Sequence, residues 1–324
     1  MQTLFVRSAV ALTTATLCLA AQAETFQRVN IAFVPTVGDT PVGCTSVLRG
    51  LGVTGVDAKL QDLRFYVSNV KLTTTEGVEV AVTLDANEAQ LTSGSDTVAL
   101  IDLENAKGLC AGDPSRHAVI TGKVPKGTYN KLAFTLGVPE SLNHTDTATA
   151  PAPLDNTDMG WSWQVGRKHI KIEVNPKNAT TGEFTQGITK YDSTTGLPTS
   201  TYNDSFYFHL GNTGCEVAAS SANGYTCSSD NTLPLHFHGF DYKTQRVAVD
   251  LKALFAKTNL TREWGGSPGC MSGATDPECK KMWAVIGSRF VAQTAADGTV
   301  TYISKHNLDH AFFHGETVFR AIAK

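Results

Sequence analysis

The chain has 324 residues, with 27 Lys and Arg against 30 Asp and Glu, which gives a formal net charge of −3. This near balance, without a basic patch, excludes the usual nucleic-acid-binding classes. A chain of this length can bury a sizeable core, either as one large β domain or as two smaller ones.

The N-terminus has the features of a secretory signal peptide. Met1–Ala23 carries Arg7, then an apolar run from Ala9 to Ala21, and ends with the small-residue pattern Ala-Gln-Ala. No other stretch approaches ~20 apolar residues, so nothing else is predicted to span a membrane. The mature protein is therefore predicted to be periplasmic or secreted.

Most of the remaining sequence alternates apolar and polar residues over short runs separated by turn residues, which is typical of β-strands. The predicted strands, in chain order, are Phe26–Val37, Leu60–Leu72, Val78–Leu84, Thr97–Leu103, His117–Val124, Tyr129–Leu136, Lys168–Val174, Ser205–Leu210, Leu233–Phe240, Gln245–Leu251, Phe290–Thr294 and Thr299–Ser304. Thr180–Thr201 is expected to be a hairpin excursion, and Lys252–Ala256 and Glu278–Ile286 are predicted short helices. This pattern favours an all-β fold, a β-sandwich or barrel-like packing of sheets with long loops.

The predicted strand Lys168–Val174 alternates strictly. Its Ile and Val side chains face one way, and His169, Lys171 and Glu173 face the other. We expect one face on the core and the other in solvent, as in many antiparallel sheets.

Six cysteines remain after the signal peptide: Cys44, Cys110, Cys215, Cys227, Cys270 and Cys279. An even number in an exported protein indicates disulfides, although six cysteines allow 15 pairings. Short separations favour Cys215 with Cys227 and Cys270 with Cys279, which leaves Cys44 to join Cys110. The alternative is a thiolate metal site, but there is no C-x-x-C and the spacing fits no zinc pattern.

The longest predicted loop, Pro139–Lys168, has neither a helical nor a strand period and is expected to be an ordered surface loop. His144 lies near its start, and Trp161 and Trp163 lie near its end. Side chains two residues apart share a face of an extended segment, so the indoles are predicted to lie side by side. Long loops on rigid scaffolds often carry function.

This loop reads L-N-H, then D-x-A-T-A-P-A-P-L, then D-M-x-W-x-W-Q-x-G-x-K, and it resembles the four-Cys-motif family of secreted bacterial proteins that includes MbnP. Further motifs agree in order: LRFYVSNVKL (Leu63–Leu72), FHLGNTGC (Phe208–Cys215), VAVDLKALF (Val247–Phe255) and PGCMSGATDPEC (Pro268–Cys279). The resemblance covers nearly the whole mature chain. It implies that residues 24–324 form a single MbnP-like β domain, stapled by disulfides.

The resemblance also implies a periplasmic copper-binding protein used in copper acquisition or handling. Family members occur beside methanobactin operons and beside diheme peroxidases. In the family, a MauG/MbnH-type diheme c-type cytochrome peroxidase oxidises one Trp of the W-x-W to kynurenine, which helps to bind copper. Trp161 or Trp163 would be the modified residue, and the chain would be a substrate of that oxidase.

His144 and His209 are the histidines expected to bind the metal, because both lie in motifs that resemble the family's. Imidazole nitrogen suits copper, and divalent copper binds most tightly in the usual series. The alternative is that each is a solvated His on a β surface. His236 and His238 share a face of a predicted strand and form a secondary candidate pair. His306, His310 and His314 are spaced for one face of a helix, or belong to a hairpin or a packed tail.

An intact Trp is a poor ligand, because the indole N–H is a donor only and its lone pair belongs to the ring. Oxidative opening leaves an aryl amine with a free lone pair. Trp161 or Trp163 is therefore expected to complete a site with two histidines only after modification. The alternative is that both indoles simply pack against the sandwich.

The sequence has no H-E-x-x-H, C-x-x-C-H or P-loop motif. Any oxidation of Trp therefore requires a separate haem protein, and the chain is not predicted to be an enzyme itself. Two alternatives remain open. One is a disulfide-stabilised adhesion or binding module without metal, and the other is a copper-dependent oxidoreductase.

Overall fold

The computed structural model describes residues 25–162, 166–184, 188–202, 205–221, 223–266, 268–286, 288–294, 300–306 and 318–324. The predicted signal peptide, Trp163, His310 and His314 lie outside these ranges. No helix within them is long and apolar enough to cross a membrane.

The strands are β1 (Phe26–Val37), β2 (Thr40–Pro41), β3 (Leu48–Leu51), β4 (Val56–Thr74), β5 (Glu79–Ala81), β6 (Thr83–Leu84), β7 (Gln90–Ser93), β8 (Asp96–Asp102), β9 (Val119–Pro125), β10 (Tyr129–Leu136), β11 (Gly160–Trp161), β12 (Gly166–Pro176), β13 (Ile188–Tyr191), β14 (Pro198–Tyr202), β15 (Phe206–Gly211), β16 (Thr213–Val217), β17 (Tyr225–Ser229), β18 (Leu233–His238), β19 (Gln245–Asp250), β20 (Arg262–Glu263), β21 (Gly269–Cys270), β22 (Ser288–Thr294), β23 (Val300–His306) and β24 (Phe319–Ala323). The helices are α1 (Glu140–Asn143), α2 (Leu251–Leu254) and α3 (Pro277–Val285), and a 3-10 turn spans Thr157–Met159.

The fold is centred on β4, a 19-residue strand inside an 11-stranded sheet with the main order β18-β10-β4-β12-β15-β21. Phe65 and Val67 are buried on one face of this sheet, as their alternation predicts. Asn69 then adopts a left-handed φ of 51°, and the pairing with β10 shifts register beside it. This bulge changes the parity of the strand, so that Val70 and Leu72 continue the same core.

A six-stranded sheet, in the order β24-β19-β1-β9-β6 with β2 beside β1, packs over that face. Phe33 of β1 meets Phe65 of β4 edge to face, with ring centroids 5.5 Å apart. Both rings belong to one apolar cluster supplied by both sheets, and each fully buried side chain of this kind contributes about 1.5–3 kcal/mol. The predicted mostly-β fold with few short helices is confirmed.

Three disulfides join Cys44 to Cys110, Cys215 to Cys227 and Cys270 to Cys279. All three pairs agree with the prediction: short separation favours the last two, and the first joins the two cysteines that remain. Cys215 and Cys227 lie opposite each other in the β16–β17 hairpin, and Cys270 and Cys279 tie β21 to α3. Each bridge stabilises the fold by about 2–4 kcal/mol, mainly by restricting the unfolded chain.

The described part of the Pro139–Lys168 stretch lies at the surface, as predicted, and it also forms a covering layer over the sheet beneath it. It contains α1, the 3-10 turn and β11, and it lies on the outer face of the large sheet. Leu142, Leu154 and Met159 pack there around Tyr66 in a second apolar cluster. These buried residues are spaced irregularly, so the sequence shows no period.

The prediction that one face of β12 is solvated is wrong for the same reason. Ile170 and Ile172 enter the core, but on the opposite face His169 is 0% and Glu173 is 6% exposed. Only Lys171 is partly accessible there. Around β12, the outer face of the large sheet is therefore a buried polar surface.

Candidate metal centre

His144 follows α1 directly, and its side chain is fully buried. The imidazole stacks on Tyr225 of β17, with ring centroids 4.9 Å apart. Its Nε2 lies 3.5 Å from Oε1 of Glu140 and 3.4 Å from Sγ of Cys227. Because Cys227 is in a disulfide, its sulfur is not a thiolate ligand. The β16–β17 hairpin thus fixes the position of the imidazole.

Trp161 is 3% exposed and pairs with Gly166 across β11 and β12. Its indole lies against Gly211 of β15, where an added Cβ would stand only 2.1 Å from the ring carbon Cζ3. A glycine at this position therefore leaves the space that the ring fills. Gly211 follows His209 by two residues, so the indole and the His209 imidazole lie on the same face of the sheet.

A cavity of about 440 Å³ is lined by His144 and Trp161, together with Asp146, Thr157 and Tyr225. His144 and Trp161, both predicted from the sequence, thus line the same cavity, although 17 positions separate them in the chain. The cavity is large enough for a metal ion and its ligands.

His209 lies on the buried polar face of β15 and is 5% exposed. Its Nε2 is 2.8 Å from Oε1 of Glu173, whereas Nδ1 is buried with no hydrogen-bond partner among the described residues. Burial alone would raise the pKa of Glu173, but the hydrogen bond from His209 and the charge of Lys171 hold this pKa below its ordinary value. An ionised Glu173 only accepts, so Nε2 carries the proton and Nδ1 keeps a free lone pair.

Burial also lowers the pKa of His209, and this outweighs the opposite influence of Glu173. The imidazole is therefore neutral at pH 7, which is the protonation state that binds metals. A carboxylate behind a neutral imidazole is the usual arrangement for a histidine that ligates a metal.

His169 is a buried histidine, although its place in the sequence predicted a solvated one. The backbone N–H of Val138 donates to its Nδ1 at 3.1 Å, and its Nε2 lies 2.9 Å from Oδ1 of Asn212. Nδ1 must then accept and Nε2 must donate, so both nitrogens are engaged. His169 is a structural residue that joins β12 to its neighbours.

Arg167 is a second residue that the sequence analysis missed. It is 1% exposed, and its guanidinium donates to the carbonyl oxygens of Leu142, Asn143 and Leu154 at 2.7–3.0 Å. Two of these carbonyls end α1, directly before His144, and such terminal carbonyls lack helical partners. Arg167 thus fastens the covering layer to β12 beside the candidate site.

Of the other predicted residues that the structure describes, His209, His236 and His238 do not line this cavity. His236 and His238 lie exposed on β18, and neither belongs to a group of three metal-binding side chains within the described ranges. His306 ends β23, so a strand and not a helix reaches that position. Trp163 lies outside the described residues, and its predicted pairing with Trp161 stays a prediction.

Comparison with known proteins places the chain in a family. A family model described as MbnP matches residues 26–272. A solved structure, MbnP from Methylosinus trichosporium, matches with a TM-score of 0.71 and 28% identity, covering 92% of this chain and 99% of that one. No curated protein matches the sequence. Because the family model spans most of the chain, this protein belongs to the MbnP family.

Proposed function

We propose that this chain is a periplasmic copper-binding protein that takes part in copper acquisition or handling. One arrangement carries the proposal. Trp161 shares a cavity with His144, and it lies on the same sheet face as His209, whose Nδ1 is buried without a partner among the described residues. The imidazoles of His144 and His209 together with an aromatic side chain fit a nitrogen-rich copper site once that side chain supplies a third nitrogen.

The third nitrogen requires oxidation of Trp161 or Trp163 to kynurenine. Two molecules of hydrogen peroxide insert two oxygen atoms across the C2–C3 bond of the indole and leave as water. Hydrolysis then releases formate and leaves an aryl amine with a free lone pair. When bound, copper would be held by this amine together with His144 and His209.

The proposed oxidant is a diheme c-type cytochrome peroxidase of the MauG/MbnH type, with this chain as its substrate and not itself an enzyme. Trp161 is 3% exposed, so a partner haem cannot touch its ring. Electrons would have to leave through neighbouring side chains, and Trp163, two residues on, is a candidate intermediate. Residues 24–324 would act in the periplasm as one domain after signal-peptide removal.

The test is peptide mass spectrometry on protein produced with and without such a partner. Kynurenine formation exchanges one carbon for one oxygen, a gain of about 4 Da on the peptide that holds both Trp residues. Trp161→Phe and Trp163→Phe identify the modified ring. A persistently unmodified peptide in cells with an active partner would overturn the proposed maturation.

Copper titration of the modified protein tests the ligands. His144→Ala and His209→Ala should each weaken binding at least tenfold, about 1.4 kcal/mol or more, whereas the exposed His236→Ala should leave it unchanged. Because only neutral imidazole binds metal, affinity should fall as the pH drops through ~6. Equal affinity in all three variants would contradict histidine ligation at this centre.

A further inference from the structure

Three carboxylates form a cluster away from the candidate copper ligands in the chain. Glu263 ends β20, Asp276 is the N-cap of α3, and Glu278 lies in the first turn of α3. One carboxylate oxygen from each lies within 4.8 Å of the other two. Two oxygens that bind one ion at ~2.4 Å cannot be further apart than about this distance, so the spacing meets the condition for a shared calcium ion.

Two of the three carboxylates are buried, and among the residues that the structure describes the cluster has no positive partner. Glu263 is 0% and Glu278 is 2% exposed. Within the described part of the chain, no Lys, Arg or His forms an ion pair with any of the three. The N-terminus of α3 supplies only partial positive charge, through two backbone N–H groups that donate to Oδ1 of Asp276.

A second, independent observation concerns Glu278 itself. Its Oε2 is buried and has no hydrogen-bond donor among the residues described. In contrast, both oxygens of Glu263 accept backbone N–H groups, from Gly265 at 2.9 Å and from Gly269 at 2.6 Å. A buried carboxylate oxygen without a donor is costly, so this oxygen is expected to have a partner of another kind.

We propose that Glu263, Asp276 and Glu278 bind a structural calcium ion. The donors are all carboxylate oxygens, which hard cations prefer and which copper in a protein usually does not. Calcium fits better than magnesium, because it accepts flexible geometry and six to eight oxygens, whereas magnesium demands a near-ideal octahedron.

The surroundings of the cluster allow an ion to enter and indicate a structural role for it. Asp276 lines an open cavity of about 730 Å³ together with Trp264, Gly266 and Thr275, so water can complete the coordination shell. The ion would cross-link β20 to α3, beside the disulfide from Cys270 to Cys279 that already fastens α3. Burial raises the pKa of Asp276 and of Glu278 to about 7, as expected for adjacent carboxylates without a counter-charge.

The experiment uses the full mature chain, free of copper, in EDTA or in about 10 mM calcium chloride at pH 7.5. If the site binds calcium with a Kd of ~0.1–1 mM, as extracellular calcium modules do, Tm should be about 5 °C higher in calcium than in EDTA. Terbium is a direct probe, because an ion bound in this cavity would lie near Trp264 and luminesce when that indole is excited. Excess calcium should displace the terbium signal.

Glu278→Gln keeps the shape of the side chain and removes its charge. This variant should fold, show a higher Tm in EDTA than the wild type because repulsion is relieved, and lose at least tenfold in calcium affinity. Glu216→Gln, an exposed residue of β16, is the matched control and should respond like the wild type. If calcium changes neither the Tm of the wild type nor its terbium signal, the proposal is wrong, and protons shared among the carboxylates are favoured instead. An equal calcium response in Glu278→Gln would also refute it. Neither result bears on copper binding.

Discussion

Arg167 provides the sharpest test of how the covering layer is held over the candidate metal centre. Its guanidinium makes four hydrogen bonds to three backbone carbonyl oxygens, all buried. Arg167→Met keeps the apolar volume but removes the guanidinium donors from these carbonyls, although the carbonyl of Leu142 keeps the Thr145 hydroxyl at 2.9 Å. Hydrogen bonds from a charged group contribute about 1.5–3 kcal/mol each and are not additive, so we expect a loss of roughly 3–5 kcal/mol.

Arg28→Met is the matched control. Arg28 also makes two good hydrogen bonds, to Asp85 at 2.7 and 2.9 Å, but its side chain is 66% exposed. An exposed ion pair of this kind contributes below about 1 kcal/mol. Urea unfolding at one pH compares the two free energies, and Arg167→Lys, which keeps the charge but cannot span three carbonyls, should fall between them.

Hydrogen exchange shows where the loss occurs. Amides of residues 139–160 should exchange faster in Arg167→Met, because the segment can lift from the sheet, while amides of β4 should change less. Copper affinity should fall in parallel, since His144 moves with this segment. Equal unfolding free energies for the Arg167 and Arg28 variants, or unaltered exchange in residues 139–160, would refute the role of Arg167 as a clamp.

Three further predictions follow from the polar face. Glu173→Gln replaces the carboxylate that fixes the His209 tautomer with a neutral amide. The amide can accept or donate, so it no longer forces the proton onto Nε2. Copper affinity should therefore fall about 10- to 100-fold in a competition titration, and an unchanged affinity would argue against Nδ1 ligation. Gly211→Ala places a methyl group against the indole and should lower Tm and the free energy of unfolding by at least about 1–3 kcal/mol, whereas Gly43→Ala, with nothing within 4 Å, should not. Burial raises the pKa of Asp102 to about 8, so the folded state keeps a proton that the unfolded state loses from about pH 4 upward. The contribution of this group to the free energy of unfolding therefore declines between about pH 4 and 8. Asp102→Asn should make this decline smaller when the free energy of unfolding is measured across that pH range.

Alternation of apolar and polar residues predicts most closely the strands that pack one face against the core. The bounds of β1 and β10 match their predictions, because each keeps one apolar face from end to end. The hairpin of β16 and β17 was missed, since it carries exposed residues such as Val217, at 79% exposure, and depends on a disulfide and on pairing. The short strand β3 was also missed, because its glycine-rich neighbourhood masks it.

The site divides in the same way. Motifs identify His144 and Trp161, and the structure puts them on one cavity. The pairing of His209 with Glu173 depends on the cross-strand register of β12 and β15, which no local pattern encodes. The burial of Arg167 likewise depends on a segment that folds back over the sheet. The sequence therefore did not predict the register between distant strands or the segment that covers the sheet.

The buried polar face around β12 supports the proposal that His209 binds a ligand. Burying charges is unfavourable unless each has a partner, and apolar residues would give a more stable sheet. Here Arg64 pairs with Asp62, and Lys171 Nζ lies 2.7 Å from the same carboxylate. Glu173 accepts from His209, so among the described residues the chain of partners runs along the face and ends at His209 Nδ1. A network that orients an imidazole, and whose described residues offer no partner to its second nitrogen, is explained if that nitrogen binds a ligand, and the proposed copper ion is such a ligand.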